Sequence, residues 1–169
     1  MKSDVLQHLD LWARAIMPTI TTLLLALLDA IPIGVPAISD VSPLFTMMAI
    51  FYWAVYRPDL VPPFVVFLIG LLQDILLGNP TGLFALVLLG VLGATLSQRM
   101  AFVGKPFVFA WLGFAVISAA AFFTMWLLTC VLTTQIVLTT DVFFQYGLTT
   151  CCFPVAAWLF VRIHRHLVR

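Results

Sequence analysis

The sequence predicts an all-α membrane protein, a bundle of six transmembrane helices. Three observations carry that prediction. Of the 169 residues, 63% are hydrophobic and 9% charged, at a mean hydropathy of +1.15; soluble domains carry about 25% charged residues. Six apolar segments, roughly 15–32, 42–57, 61–78, 81–98, 107–132 and 141–162, approach the length needed for a membrane span, which is about 20 residues for about 30 Å of hydrocarbon. With six spans, all eight basic residues (Lys2, Arg14, Arg57, Arg99, Lys105, Arg162, Arg165 and Arg169) fall on one side, and the opposite loops 33–41, 79–80 and 133–140 carry none. That asymmetry sets both termini in the cytoplasm, and a five-span topology would scatter the basic residues over both sides. The whole chain, 1–169, reads as one integral membrane domain.

The elements follow in order. Residues 1–14, "MKSDVLQHLDLWAR", place Val5, Leu6, Leu9 and Trp12 at helical spacing, which suits an amphipathic entry helix on the cytoplasmic surface better than a signal peptide. Ser42-Pro43 and Asn79-Pro80 read as N-caps followed by a first-turn proline, and Thr140-Asp141 can cap the sixth span. Pro62-Pro63 opens the third span and Pro106 the fifth. From Pro106 to Thr140 there is no charge, and a helix of that length would overrun the bilayer. The fifth helix should therefore end near Cys130. The stretch "VLTTQIVLTT", 131–140, would then stand on the outer side, as a connecting loop or as a docking surface for another membrane or periplasmic protein. The pairs Gly90 and Ala94, Gly93 and Ser97, and Ala115 and Ala119 have the small-residue spacing that permits close helix contact. Pro154 removes a backbone bond to the Thr150 carbonyl.

Composition excludes several kinds of chemistry. All seven acids are Asp, so the H-E-x-x-H motif of zinc proteases is absent, and no G-x-S-x-G elbow occurs. A net charge of +1 leaves no polybasic face for nucleic acid. Cys130, Cys151 and Cys152 lie in apolar stretches and imply no disulfide framework, and His8, His164 and His166 lie at cytoplasmic ends as solvated residues. No catalytic, cofactor or metal site is expected.

The stretch "GLLQDILLGNPTG", 70–82, is the one that raises a question, because Asp74 sits within an apolar span. A charge there costs several kcal/mol unless satisfied, and the topology places every cation of the chain at the other side. Asp74 can accept hydrogen bonds from the free amides at the start of the fourth span, be protonated, or meet a cation from a partner. The first option needs no chemistry: Gly78 can close the third span in a left-handed C-cap, and Asp74 can reach the Thr81 or Gly82 amide. Gln73 points to another face, where it can bond a neighbouring helix. Asp29, near the outer end of span one, reads as an interfacial carboxylate facing water, with a dyad to Asp74 as the alternative. In "FYWAVYRPD", 51–59, Tyr52 lies on span two, Arg57 and Pro58 mark its inner end, and Trp53 and Tyr56 suit an aromatic belt.

The combination of "YWAVYRPDLVPP", "GLLQDILLGNPTG", a fourth span opening "LFAL" and a basic tail after "PVAAWLFVR" resembles the rod shape-determining MreD family. Its most specific part is the spacing of Asp74, Gly78 and Gly82, with Pro80 between them. The resemblance implies a non-enzymatic inner-membrane subunit of the cell-elongation (rod) complex, supporting peptidoglycan synthesis. It implies an MreC-like partner and, through it, MreB, RodZ, and the polymerase RodA with its penicillin-binding transpeptidase. It also implies an architecture similar to the substrate-binding subunits of energy-coupling-factor transporters. The rival function is a small-molecule-binding subunit of a vitamin transporter, whose pocket would draw on Asp74, Gln73, Asp29 and Gln145.

Overall fold

The computed structural model describes residues 17–30, 42–133 and 139–167. The expected entry helix at 1–14, the loop 33–41 and residues 134–138 of the uncharged stretch lie outside the described residues. The described chain is all-helical: α1 (Met17–Asp29), then α2 (Phe45–Tyr56), a 3-10 turn (Pro58–Leu60), α3 (Pro63–Leu77), α4 (Leu83–Phe102), α5 (Phe107–Thr133) and α6 (Thr139–Leu167). Three helices, α4, α5 and α6, are long and apolar enough to cross a membrane, whereas α1, α2 and α3 are shorter. α2 has 12 residues and rises only about 18 Å.

α2 is the core of the bundle. Every residue from Thr46 to Val55 is buried, as befits a helix that is apolar all round. α4, α5 and α6 pack around it, and α3 packs on α4. The Phe51 ring stands edge-on to Phe102, Phe114 and Phe153 at centroid distances of 5.8, 5.3 and 5.6 Å. Phe114 and Phe153 stack at 4.2 Å, which locks α5 to α6. Burial corrects the reading of Trp53: it is 1% exposed and belongs to this core, not to an interfacial belt. Only Tyr56, at the end of α2, keeps an exposed ring.

The tight helix approach within the bundle is made by another glycine. A Cβ added to Gly70 of α3 would lie 2.4 Å from the Ala85 Cα of α4, so only glycine admits this crossing. Gly90 and Gly93 have nothing within 4 Å of an added Cβ. Their spacing marks an open face rather than a packed one. α5 runs to Thr133 and α6 begins at Thr139, so helix claims both ends of the stretch that the sequence assigned to a ten-residue outer loop.

Pro154 lies inside α6. Its missing N–H leaves the Thr150 carbonyl without its helical donor. The Trp111 indole of α5 supplies one: Nε1 donates to the Thr150 carbonyl at 3.0 Å. The lost intrahelical bond thus becomes an α5–α6 bond.

Candidate functional site

One end of the bundle gathers both buried carboxylates, and it does so at two helix starts. α4 opens at Leu83 after Gly82, whose φ of 95° suits glycine and which offers no side chain as a cap. Its free amides turn toward α3, where Asp74 is fully buried. Asp74 Oδ2 accepts from the Gly82 N–H at 2.9 Å, and Oδ1 from the Phe84 N–H at 2.9 Å. Oδ2 also takes the Phe84 and Ala85 N–H groups at 3.2 and 3.4 Å. The Thr81 amide, offered by the sequence as an alternative partner, is not among these donors.

The same residue closes its own helix. Gly78 adopts φ 70°, ψ 21°, the left-handed C-cap, and its N–H donates to the Asp74 carbonyl. The Asn79 N–H donates to that carbonyl too, at 3.0 Å. Asn79 and Pro80 therefore shape the turn rather than capping α4, since the helix starts later than Asn79-Pro80 suggested. Asp74 ties the end of α3 to the start of α4 through both its main chain and its side chain. The oxygens of a carboxyl group at a helix N-terminus also face the positive end of the helix dipole.

The start of α2 is built the same way from more distant parts. Leu44, its N-cap residue, makes no side-chain cap. Asp29, at the end of α1, serves instead: Oδ1 accepts from the Phe45 N–H at 2.9 Å and Oδ2 from the Thr46 N–H at 3.0 Å. Gln73 Nε2 donates to Asp29 Oδ2 and to Thr46 Oγ1, each at 3.0 Å. From α6, Thr149 Oγ1 accepts from the Leu44 N–H at 3.2 Å, and Gln145 Nε2 donates to the Ser42 carbonyl at 3.1 Å. The reading of Asp29 as a water-facing interfacial group is thereby overturned: it is 4% exposed and engaged on three sides. Ser42 contributes a carbonyl rather than the expected cap. Gln73 is fully buried, and its Oε1 has no hydrogen-bond partner.

The opposite end carries the basic side chains among the described residues, Arg57, Arg99, Lys105 and Arg162. Arg99, in the last turn of α4, donates from Nε to the Val55 carbonyl of α2 at 3.0 Å, which puts the two helix ends side by side. Arg57 terminates α2, its N–H donating to the Trp53 carbonyl, and Pro58 opens the 3-10 turn that leads to α3. Tyr52, buried on α2, lies against Tyr56 at 4.7 Å and Phe160 at 5.1 Å. Lys105 Nζ sits 5.2 Å from the Phe109 ring, and the Arg162 guanidinium 5.5 Å from the Trp158 ring. The structure thus gathers Asp74, Gly78, Pro80 and Gly82 at one end and Tyr52, Arg57 and Pro58 at the other. Trp53 lies in the core and Pro154 in the α5–α6 contact.

Sequence reading missed Thr46, Thr149, Gly70 and Trp111. Two signals pointed that way: Asp29 ends an apolar segment just as Asp74 nearly does, and Pro154 orphans a carbonyl that some donor must serve. Chemically, both carboxylates have their oxygens filled by backbone amides. They anchor helix starts, and among the described residues no nucleophile is bonded to either.

No curated protein and no solved structure matches the chain. The sequence model of the rod shape-determining protein MreD matches residues 11–168, nearly its whole length. Such proteins take part in determining rod shape and are membrane proteins rather than a known class of enzyme, in keeping with the three long apolar helices found here. The chain belongs to the MreD family of rod shape-determining proteins.

Proposed function

We propose that the chain is a non-enzymatic scaffold of the cell-elongation complex in the bacterial inner membrane. In this reading it is a single domain with six membrane-embedded segments, the short helices α1–α3 included, and both termini are cytoplasmic. Its fold is similar to that of substrate-binding subunits of energy-coupling-factor transporters. It binds the membrane anchor and juxtamembrane part of an MreC-like protein. Through that partner it supports MreB, RodZ and the RodA–transpeptidase synthase in building side-wall peptidoglycan.

The observation that carries the reading is the family match over residues 11–168. The one-sided distribution of Lys and Arg supports the orientation. The rival carrier reading loses support from the hydrogen bonds: Asp29, Asp74, Gln73 and Gln145, the groups a polar ligand pocket would use, are spent on helix starts and a carbonyl. Depletion in a rod-shaped host, with labelling of new peptidoglycan, tests the role. The expected outcome is rounding with loss of side-wall label. Rods that keep their width and label would overturn it. Replacing 131–140 by a Gly/Ser linker tests the partner surface, with loss of co-purification of the MreC-like protein expected. Undiminished recovery would remove that stretch from the interface.

A further inference from the structure

A groove of about 270 Å³ lies between α4 and α5, lined by Leu86, Gly90, Ala94 and Gln98 of α4 and by Val116 and Ala120 of α5, among others. It exists because Gly90 presents no side chain there; an added Cβ would meet nothing within 4 Å. From Leu86 to Gln98 the groove follows α4 for about 18 Å, close to the thickness of one leaflet, about 15 Å.

The two ends differ in chemistry. At the Gln98 end the exposed amide of that residue lies on the rim. One turn further, the Phe102 ring of α4 packs over Gly113 of α5, where an added Cβ would lie 2.1 Å from a ring carbon. Beyond it is the turn that carries Lys105. Its Nζ lies over Phe109, which stands two turns before Val116 on the groove side of α5. Arg57, Arg99, Lys105 and Arg162 gather at this end of the bundle against one carboxylate among the described residues, Asp59. Lys105 and Arg162 rest on aromatic rings instead of carboxylates.

We propose that this groove holds an acyl chain of an anionic phospholipid from the leaflet at the basic end, with the phosphate at Gln98 and Lys105. The apolar length accommodates one chain, and the polar rim and the lysine select the headgroup. The site is independent of the scaffold role and of which side of the membrane the basic end faces.

The full chain, purified in detergent and offered equal amounts of phosphatidylglycerol and phosphatidylcholine, tests this by native mass spectrometry of retained lipid. Wild type should retain phosphatidylglycerol about five-fold over phosphatidylcholine, the preference expected from a single lysine near the headgroup. Lys105→Gln should equalise the two lipids, and Gly90→Leu, which fills the groove, should abolish retention of both. Ala94→Leu serves as a second filling variant, scored on protein that elutes as a single species. Equal retention of both lipids by wild type, no retention, or phosphatidylglycerol retention that survives both filling variants would each overturn the proposal.

Discussion

Asp29 and Asp74 do the same work at two places. Each lies in the last turn of its helix, each is buried, and each supplies the cap that the next helix lacks. They differ in how far the chain travels between carboxylate and amide. Asp74 reaches Gly82, Phe84 and Ala85 across a tight turn. Asp29 reaches Phe45 and Thr46 across a longer connection, and it shares its site with Gln73 of α3. At the starts of both α2 and α4, the cap is therefore borrowed from another helix. The local version stands almost alone, whereas the distant version is one strand of a knot joining α1, α2, α3 and α6.

The sharpest way to break the Asp74 cap is to force α3 and α4 apart. Gly70→Val puts methyl groups into the Ala85 backbone and should cost more than about 3 kcal/mol, since overpacking at a backbone contact cannot relax. The readout is loss of the monodisperse species in fluorescence-detected size exclusion; a variant that elutes and melts like wild type refutes the crossing. Next in size, Asp74→Ala strands the amides of Gly82, Phe84 and Ala85 and should cost about 3 kcal/mol. Asp74→Asn keeps one acceptor and should lose about half as much, both seen as lower melting temperatures in detergent. Asp29→Ala should cost less, about 2 kcal/mol, because Thr149 still holds the Leu44 amide. If the two alanine variants melt together, the local and distant caps are equivalent and the contrast fails.

The smallest effect concerns the third borrowed partner. Trp111→Phe removes the donor to the Thr150 carbonyl and should cost about 1 kcal/mol. Pro154→Ala restores the intrahelical donor, so Trp111→Phe should be nearly silent in that background. Thermal melts of the four proteins in this cycle give the coupling; additive losses would mean that the indole bond carries no stability.

The same contrast explains what the sequence could show. The Asp74 hairpin was legible because its carboxylate, its C-cap glycine and its turn lie within nine residues, and local chemistry leaves local spacing. Asp29 was misread because nothing near it in sequence names Phe45, Thr46 or Gln73 as a partner. Trp53 was misread for a related reason: an aromatic near a helix end suits an interface equally well whether or not other helices bury it. Small residues at four-residue spacing reported a face without side chains, and the fold used that face as a groove while making its close crossing at Gly70. Pro154 disclosed the orphaned carbonyl but not the distant indole that serves it.

The bonds from Thr149 and Gln145 to the start of α2 span 105 and 103 residues. Their consequence is one of timing during synthesis. α2 emerges from the ribosome early, yet two of the groups that hold its start, Thr149 and Gln145, arrive with the last helix. Until α6 is inserted, the Leu44 N–H and the Ser42 carbonyl wait for their partners, and Asp29 and Gln73 hold the start of the central helix without them. A chain halted before residue 145 would thus be unfinished at its centre rather than merely shorter at its end, and quality control could recognise it by its second helix.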